Sequence, residues 1–181
     1  ELDFDYQKET QKGYNALISN EYTIVETSLL EIPYIEKIRT LLSRVELQTT
    51  DYLPGIINDH FQRHWISGLT LYSFTLTVLE ELNQHNLGIV SNFRDAKWLN
   101  NWIQNQNLVK YFHDNIVISE KEGYRKPNPI LFSKILELMK VKTSDLTYYV
   151  GDNELEDRLG ASLVGIKPII IGREIGSIED L

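Results

Sequence analysis

The sequence predicts an α/β protein, a parallel sheet covered by helices on both faces, with a small helical bundle ahead of it. Three observations predict it. Apolar residues recur at helical spacing before Gly68. After Gly68, short apolar runs alternate with helical patterns, as parallel strand–helix–strand units require. The most informative polar residues follow directly behind those runs, at the strand tips where open parallel sheets bind their ligands.

The elements can be justified in order. Tyr14, Leu17 and Ile18 share one helical face. Ile35, Ile38, Leu42 and Val45 repeat at three and four, behind Pro33 at a helix start. Pro54-Gly55 reads as a break, and a further helix spans Ile56 to Ile66. Residues 5–67 are therefore expected to form the bundle. Beyond it, Phe74, Val78 and Leu82 line a helix face, and Leu87-Gly88-Ile89-Val90 is a buried strand. Trp98, Leu99, Trp102 and Ile103 mark the next helix, and Ile116-Val117-Ile118 the next strand. Leu131, Ile135, Leu138 and Met139 mark a helix, Tyr148-Tyr149-Val150 a strand, Leu155 to Val164 a short helix, and Pro168 to Ile171 a last strand. The boundary falls between residues 1–67 and 68–181.

Composition narrows the function. Of 181 residues, 42% are apolar and 24% charged, which is ordinary for a globular chain. Acids exceed bases, 26 to 18, and no basic patch suggests a nucleic-acid partner. The absence of cysteine excludes disulfides, a thiolate zinc site and a cysteine nucleophile, and fits a cytoplasmic setting. No apolar run approaches the roughly 18 residues of a membrane span, so no membrane partner is expected. His60 and His64 stand four apart with no third ligand and read as surface residues. The sequence contains no Gly-x-Gly-x-x-Gly for a nucleotide cofactor. It gives no signal for oligomeric state.

Three motifs carry the chemistry. Ser91-Asn92-Phe93 follows the first strand. A serine hydroxyl there can donate to a phosphoryl oxygen, and Asn92 can add an amide; the plainer reading is a strand-ending turn. Lys126-Pro127-Asn128-Pro129 precedes a helix. The prolines alone read as a helix entry, but Lys126 before them can neutralise a phosphoryl group and a carboxylate. Gly151-Asp152-Asn153-Glu154-Leu155-Glu156-Asp157 follows the third strand. Asp152 is a hard-oxygen ligand suited to magnesium, and the same acids also suit a helix N-terminus.

In order, spacing and place after strands, these three motifs resemble the second, third and fourth motifs of the haloacid dehalogenase superfamily. Ala161 and Gly165 resemble the small residues that follow the fourth. The helical stretch resembles the cap of the subfamily with a helical cap, and the sheet would then be Rossmann-like. The resemblance implies a phosphatase that hydrolyses a small phosphorylated metabolite through an aspartyl-phosphate, with Mg2+ as cofactor. Ser91, Asn92 and Lys126 would form the catalytic set. Asp152 and Asp157 would serve the metal, Asp157 by orienting Lys126 or from behind the ligands. Gly151-Asp152 favours a phosphatase over a dehalogenase, which needs no metal. A phosphomutase and a non-catalytic binding or regulatory relative are the alternatives. The family's first motif, Asp-x-Asp-x-Thr behind an apolar strand, is missing. Asp3-Phe4-Asp5 mimics it without a strand before it or a threonine after it. A segment preceding Glu1 is therefore expected to carry the nucleophile.

Overall fold

The computed structural model describes residues 29–44, 52–142 and 146–181. The expected helix at Tyr14, Leu17 and Ile18 and the Asp3-Phe4-Asp5 stretch lie outside them.

Of the face its periodicity predicts, helix α1 (Tyr34–Arg44) buries Ile38 and Leu42 and half-buries Ile35, while Val45 lies outside the described residues. Helix α2 (Leu53–Ser67) starts earlier than the sequence suggests. Pro54-Gly55 does not break the chain, because Pro54 sits in the first turn, where its missing amide costs no helical hydrogen bond. Tyr34 stacks on Phe61, with ring centroids 4.5 Å apart. The inward face of α2 presents Pro54, Asn58 and Gln62. Asn58 Nδ2 donates to Asp95 Oδ2 at 3.0 Å and so ties the helix pair to the loop behind the first strand.

The rest alternates as expected. Helix α3 (Thr75–Glu81) leads to strand β1 (Ile89–Ser91). Helices α4 (Ala96–Asn105) and α5 (Val109–Phe112) lead to β2 (Ile116–Ile118). The short α6 (Ser119–Glu122) and the longer α7 (Pro129–Met139) lead to β3 (Tyr148–Gly151). The predicted helix over Leu155 to Val164 is instead a π-helical turn at Glu154–Leu159 running into α8 (Gly160–Leu163). Asn153 explains the wider turn: its carbonyl accepts from both Asp157 and Arg158, while its side chain caps Leu155 and Glu156. Strand β4 (Lys167–Ile170) closes the order; Pro168 is tolerated there because β4 pairs on one side only, among the described residues.

The strands are parallel, but they form two pairs. β1 lies beside β2 with Val90 opposite Val117, and β3 beside β4 with Val150 opposite Ile169. Among the described residues no strand joins the pairs. Two apolar clusters cover the two faces. Val90 and Val117 pack with Leu131, Phe132, Ile135 and Leu136 of α7 and Ala161 of α8. Ile118 packs with Leu79 of α3, Leu99 and Ile103 of α4, and Tyr111 of α5. This is the layered arrangement of helices on both faces of parallel strands.

Residues 29–31 link the helix pair to the core. Leu30 bridges Tyr124, Glu31 N donates to Gly123 O at 3.0 Å, and Arg125 N donates to Leu29 O at 2.9 Å. The carboxylate of Glu31 is buried and accepts from the fully buried Ser119 hydroxyl at 2.7 Å, with Arg94 Nε 3.7 Å away. Ser119 Oγ in turn accepts from Phe93 N at 2.9 Å. Replacing Ser119 by Ala removes the donor to a buried carboxylate. In the full-length protein, Ser119→Ala should lower the unfolding free energy by about 1–3 kcal/mol, read as an earlier urea midpoint at unchanged slope. An unshifted midpoint would mean that Glu31 is not held by this bond.

Candidate active site

The site is built around Lys126. The turn before α7 places it between the tips of β1 and β3, and the Lys126–Pro127 peptide is cis. Its backbone is clamped by Asn92: Lys126 N donates to Asn92 Oδ1 at 2.8 Å, and Asn92 Nδ2 donates to Lys126 O at 3.4 Å. The amide of Asn92 is thus engaged in holding the lysine turn. Arg125 ties the same turn to the segment behind β3 through Glu156 at 3.2 Å.

The Lys126 ammonium lies 2.5 Å from Asp157 Oδ1. Asp157 is 1% exposed, so this is a buried ion pair. Its other oxygen, Oδ2, accepts from the amides of Asp152 and Asn153, both at 3.0 Å. The sharp approach depends on Gly151. A Cβ there would stand 2.4 Å from the Asp157 carboxyl carbon, closer than any packing allows, so only glycine fits.

Tyr149 is a member of the site that the sequence reading passed over as a strand residue. Its hydroxyl lies 3.1 Å from Lys126 Nζ, 3.1 Å from Asp157 Oδ1 and 3.2 Å from Val90 O. Burial, reinforced by the Asp157 charge, pushes its phenol pKa well above the ordinary range, so the hydroxyl stays protonated. The available signal is chemical: a tyrosine inside an apolar strand needs a partner for its hydroxyl.

Ser91 ends β1 and is partly buried, directly after the Val90 carbonyl that Tyr149 reaches. Asp152 is exposed at the end of β3, and among the described residues its carboxylate accepts no hydrogen bond. Thus Asn92, Lys126, Asp157 and Asp152 form one connected array, with Ser91 beside it. Asp152 offers an open carboxylate, whereas Asp157 is engaged by the Lys126 ammonium and by the amides of Asp152 and Asn153, with the Tyr149 hydroxyl 3.1 Å away. Among the described residues, no three acids or histidines gather into a complete metal cage. Removing Asp157 strands a buried lysine and two amides. Asp157→Ala should therefore cost the full-length protein about 3–5 kcal/mol, measured by chemical denaturation; a loss below about 1 kcal/mol would mean that the pair is not buried in solution.

A family model described as haloacid dehalogenase-like hydrolase matches residues 7–171. A glyceraldehyde 3-phosphate phosphatase of Pyrococcus abyssi is 33% identical over 135 residues, 66% of this chain and 55% of that protein. One of the same name from Methanothermobacter thermautotrophicus is 31% identical over 96 residues, 52% of this chain and 41% of that protein. The chain thus spans about half the length of these curated relatives. A 2-haloacid dehalogenase from Pseudomonas syringae has a similar fold, with a TM-score of 0.65 at 19% identity, covering 90% of this chain and 67% of that one. A phosphatase of the same superfamily from Thermococcus onnurineus gives 0.54 at 20% identity, covering 75% and 59%. With the family model matched from residue 7 to residue 171, the chain belongs to the haloacid dehalogenase-like hydrolases.

Proposed function

We propose that the complete protein is a magnesium-dependent phosphatase that hydrolyses a small phosphorylated metabolite through an aspartyl-phosphate. The observation that carries this reading is the Lys126 ammonium, fixed by a buried carboxylate at the tips of two parallel strands. A cation held there, with the Ser91 hydroxyl behind β1, suits the charge that a phosphoryl group spreads over its oxygens. Asp152 supplies one hard-oxygen ligand of the kind magnesium takes from proteins, and bound Mg2+ would neutralise phosphoryl charge. Asp157 faces the Lys126 ammonium and the amides of Asp152 and Asn153, which suits it to orient Lys126 and to support the metal from behind its ligands. Asn92 positions the same lysine through its backbone.

The nucleophile in this reading is a carboxylate carried outside the described residues and brought beside Ser91, Lys126 and Asp152. Its oxygen attacks phosphorus, the phosphorus–oxygen bond to the leaving group breaks, and the departing alkoxide takes a proton from a general acid. Water then attacks the same phosphorus and loses a proton to the same group acting as base. The acyl-phosphate P–O bond breaks, returning the carboxylate and inorganic phosphate. In this reading the helix pair α1 and α2 belongs to the cap expected over residues 1–67, and a cap would shield these steps from bulk water. Two relatives named glyceraldehyde 3-phosphate phosphatase make a triose phosphate the first substrate to test.

The full-length protein should hydrolyse p-nitrophenyl phosphate and a triose phosphate with Mg2+, and stop when the metal is chelated. Asp152→Ala should lower kcat/KM by at least about 100-fold with an unchanged circular dichroism spectrum. A verified full-length protein that turns over neither substrate overturns the reading in favour of a non-catalytic relative.

A further inference from the structure

Behind β3 the chain runs from Glu154 to Leu163 as the π-helical turn followed by α8. Its buried side holds Asp157, Gly160 and Ala161. Its outer side carries three leucines spaced four residues apart. Leu155 is 62% exposed, Leu159 42% and Leu163 58%. Four residues fall short of one π turn and overshoot one α turn of about 3.6 residues. The drift from Leu155 to Leu159 is therefore reversed from Leu159 to Leu163, and the three side chains stand in one straight ridge. Single exposed leucines are ordinary on a protein surface, but a continuous apolar ridge marks a contact face.

Beside the ridge runs a row of ion pairs. Glu154 and Arg158, each one position ahead of a leucine, pair at 2.5 Å. Arg173 Nε lies 3.0 Å from the other Glu154 oxygen, and Arg158 also reaches Glu174. Glu174 is itself held by the Ile170 amide at 2.7 Å. Along the row Arg173, Glu154, Arg158 and Glu174 alternate in sign and cancel. The whole chain, by contrast, carries a net charge of −8. A strongly acidic or basic partner would call for a rim of one sign. An alternating rim matches its own image, because half a turn sets each arginine against a glutamate. On this face the repulsion between two copies of an acidic chain is therefore removed. An apolar centre edged by polar groups is the anatomy of an interface.

We propose that this face is the contact between two copies of the chain, paired about a twofold axis. Leu159, the middle of the ridge, meets Leu159 of the second copy at the axis, and Leu155 of each copy meets Leu163 of the other. Three leucines and four charged residues a side make a small interface, so the dimer is reversible and concentration-dependent. Mass reads this pairing and turnover does not, so it stands apart from the phosphatase reading.

Sedimentation velocity of the full-length protein tests it. The wild type should pass from monomer toward dimer over roughly 1–100 µM. Leu159→Glu and Leu159→Lys should each stay monomeric across that range, with circular dichroism and urea midpoint as in the wild type, because the replaced side chain is exposed. An equimolar mixture of the two variants should restore the dimer, since each axis then brings a carboxylate against an ammonium. A surface merely prone to aggregate would show no such rescue. A wild type that is monomeric throughout overturns the proposal and leaves the ridge to chain outside the described residues or to a different partner. A dimer that survives both substitutions overturns it too, as does a mixture that stays monomeric.

Discussion

The structure depends on burying one ion pair. Moving Lys126 and Asp157 out of water costs several kcal/mol for each charge, and attraction between them does not by itself cover that. The surroundings make up the difference with hydrogen bonds. Asp157 accepts from Lys126 and from the amides of Asp152 and Asn153, and the Tyr149 hydroxyl lies 3.1 Å away. The amides come free of charge repulsion because they head the turn behind β3, where backbone donors have no helical partners. Everything local then follows from the fit. Gly151 must lack a side chain, since its Cβ would collide with the carboxylate it shelters. Gly160 likewise admits the Phe132 ring, which a Cβ would meet at 2.2 Å. That close approach lets α8 pack on α7 and holds the turn bearing Asp157 under the end of β3.

The same pair organises the other half of the site. A lysine fixed only at its tip would leave its turn free to swing. Asn92 prevents this by pairing with both the amide and the carbonyl of Lys126, as a neighbouring strand would. Arg125 adds a second tie through Glu156, and residues 29–31 add a third from the opposite side. The turn before α7 is therefore held to β1, to the segment behind β3 and to the link from the helix pair. Each tie is modest, of order 1 kcal/mol for a neutral hydrogen bond, but together they leave the ammonium one position.

What was readable in the sequence was what is local. The i, i+4 spacing of Ile38 and Leu42, and the apolar run of Leu131 to Met139, carry their own periodicity. Ser91, Lys126 and Asp152 stood out because polar side chains behind apolar strands need a reason to be there. Contacts between distant segments left no such trace. Nothing near Asn92 reveals that its amide would be taken up by a backbone 34 residues away. Tyr149 looked like one more β-forming aromatic, and its hydroxyl acquires a role only when β1, α7 and the π-helical turn meet. The turn itself has the sequence pattern of an ordinary helix, because the wider turn changes the hydrogen bonding and not the composition. Pro54-Gly55 misled for the opposite reason: the residues that break a helix interior are the ones accepted at its start.

The division of the strands into two pairs has a physical meaning of its own. Two parallel strands alone are weak, because parallel sheets gain their stability from burial on both faces and from continued pairing. Here the faces are covered, by α7 and α8 on one side and by α3, α4 and α5 on the other. The inner edges are joined differently. Among the described residues, Val90 O, on the edge of β1, accepts from a phenol on β3 and not from a strand amide. The two halves are thus joined by side chains at their tips, through Tyr149, Lys126 and Asn92, and by shared packing on α7. The polar groups of the site converge on the line between the two pairs because the turns behind β1 and β3 and before α7 meet there.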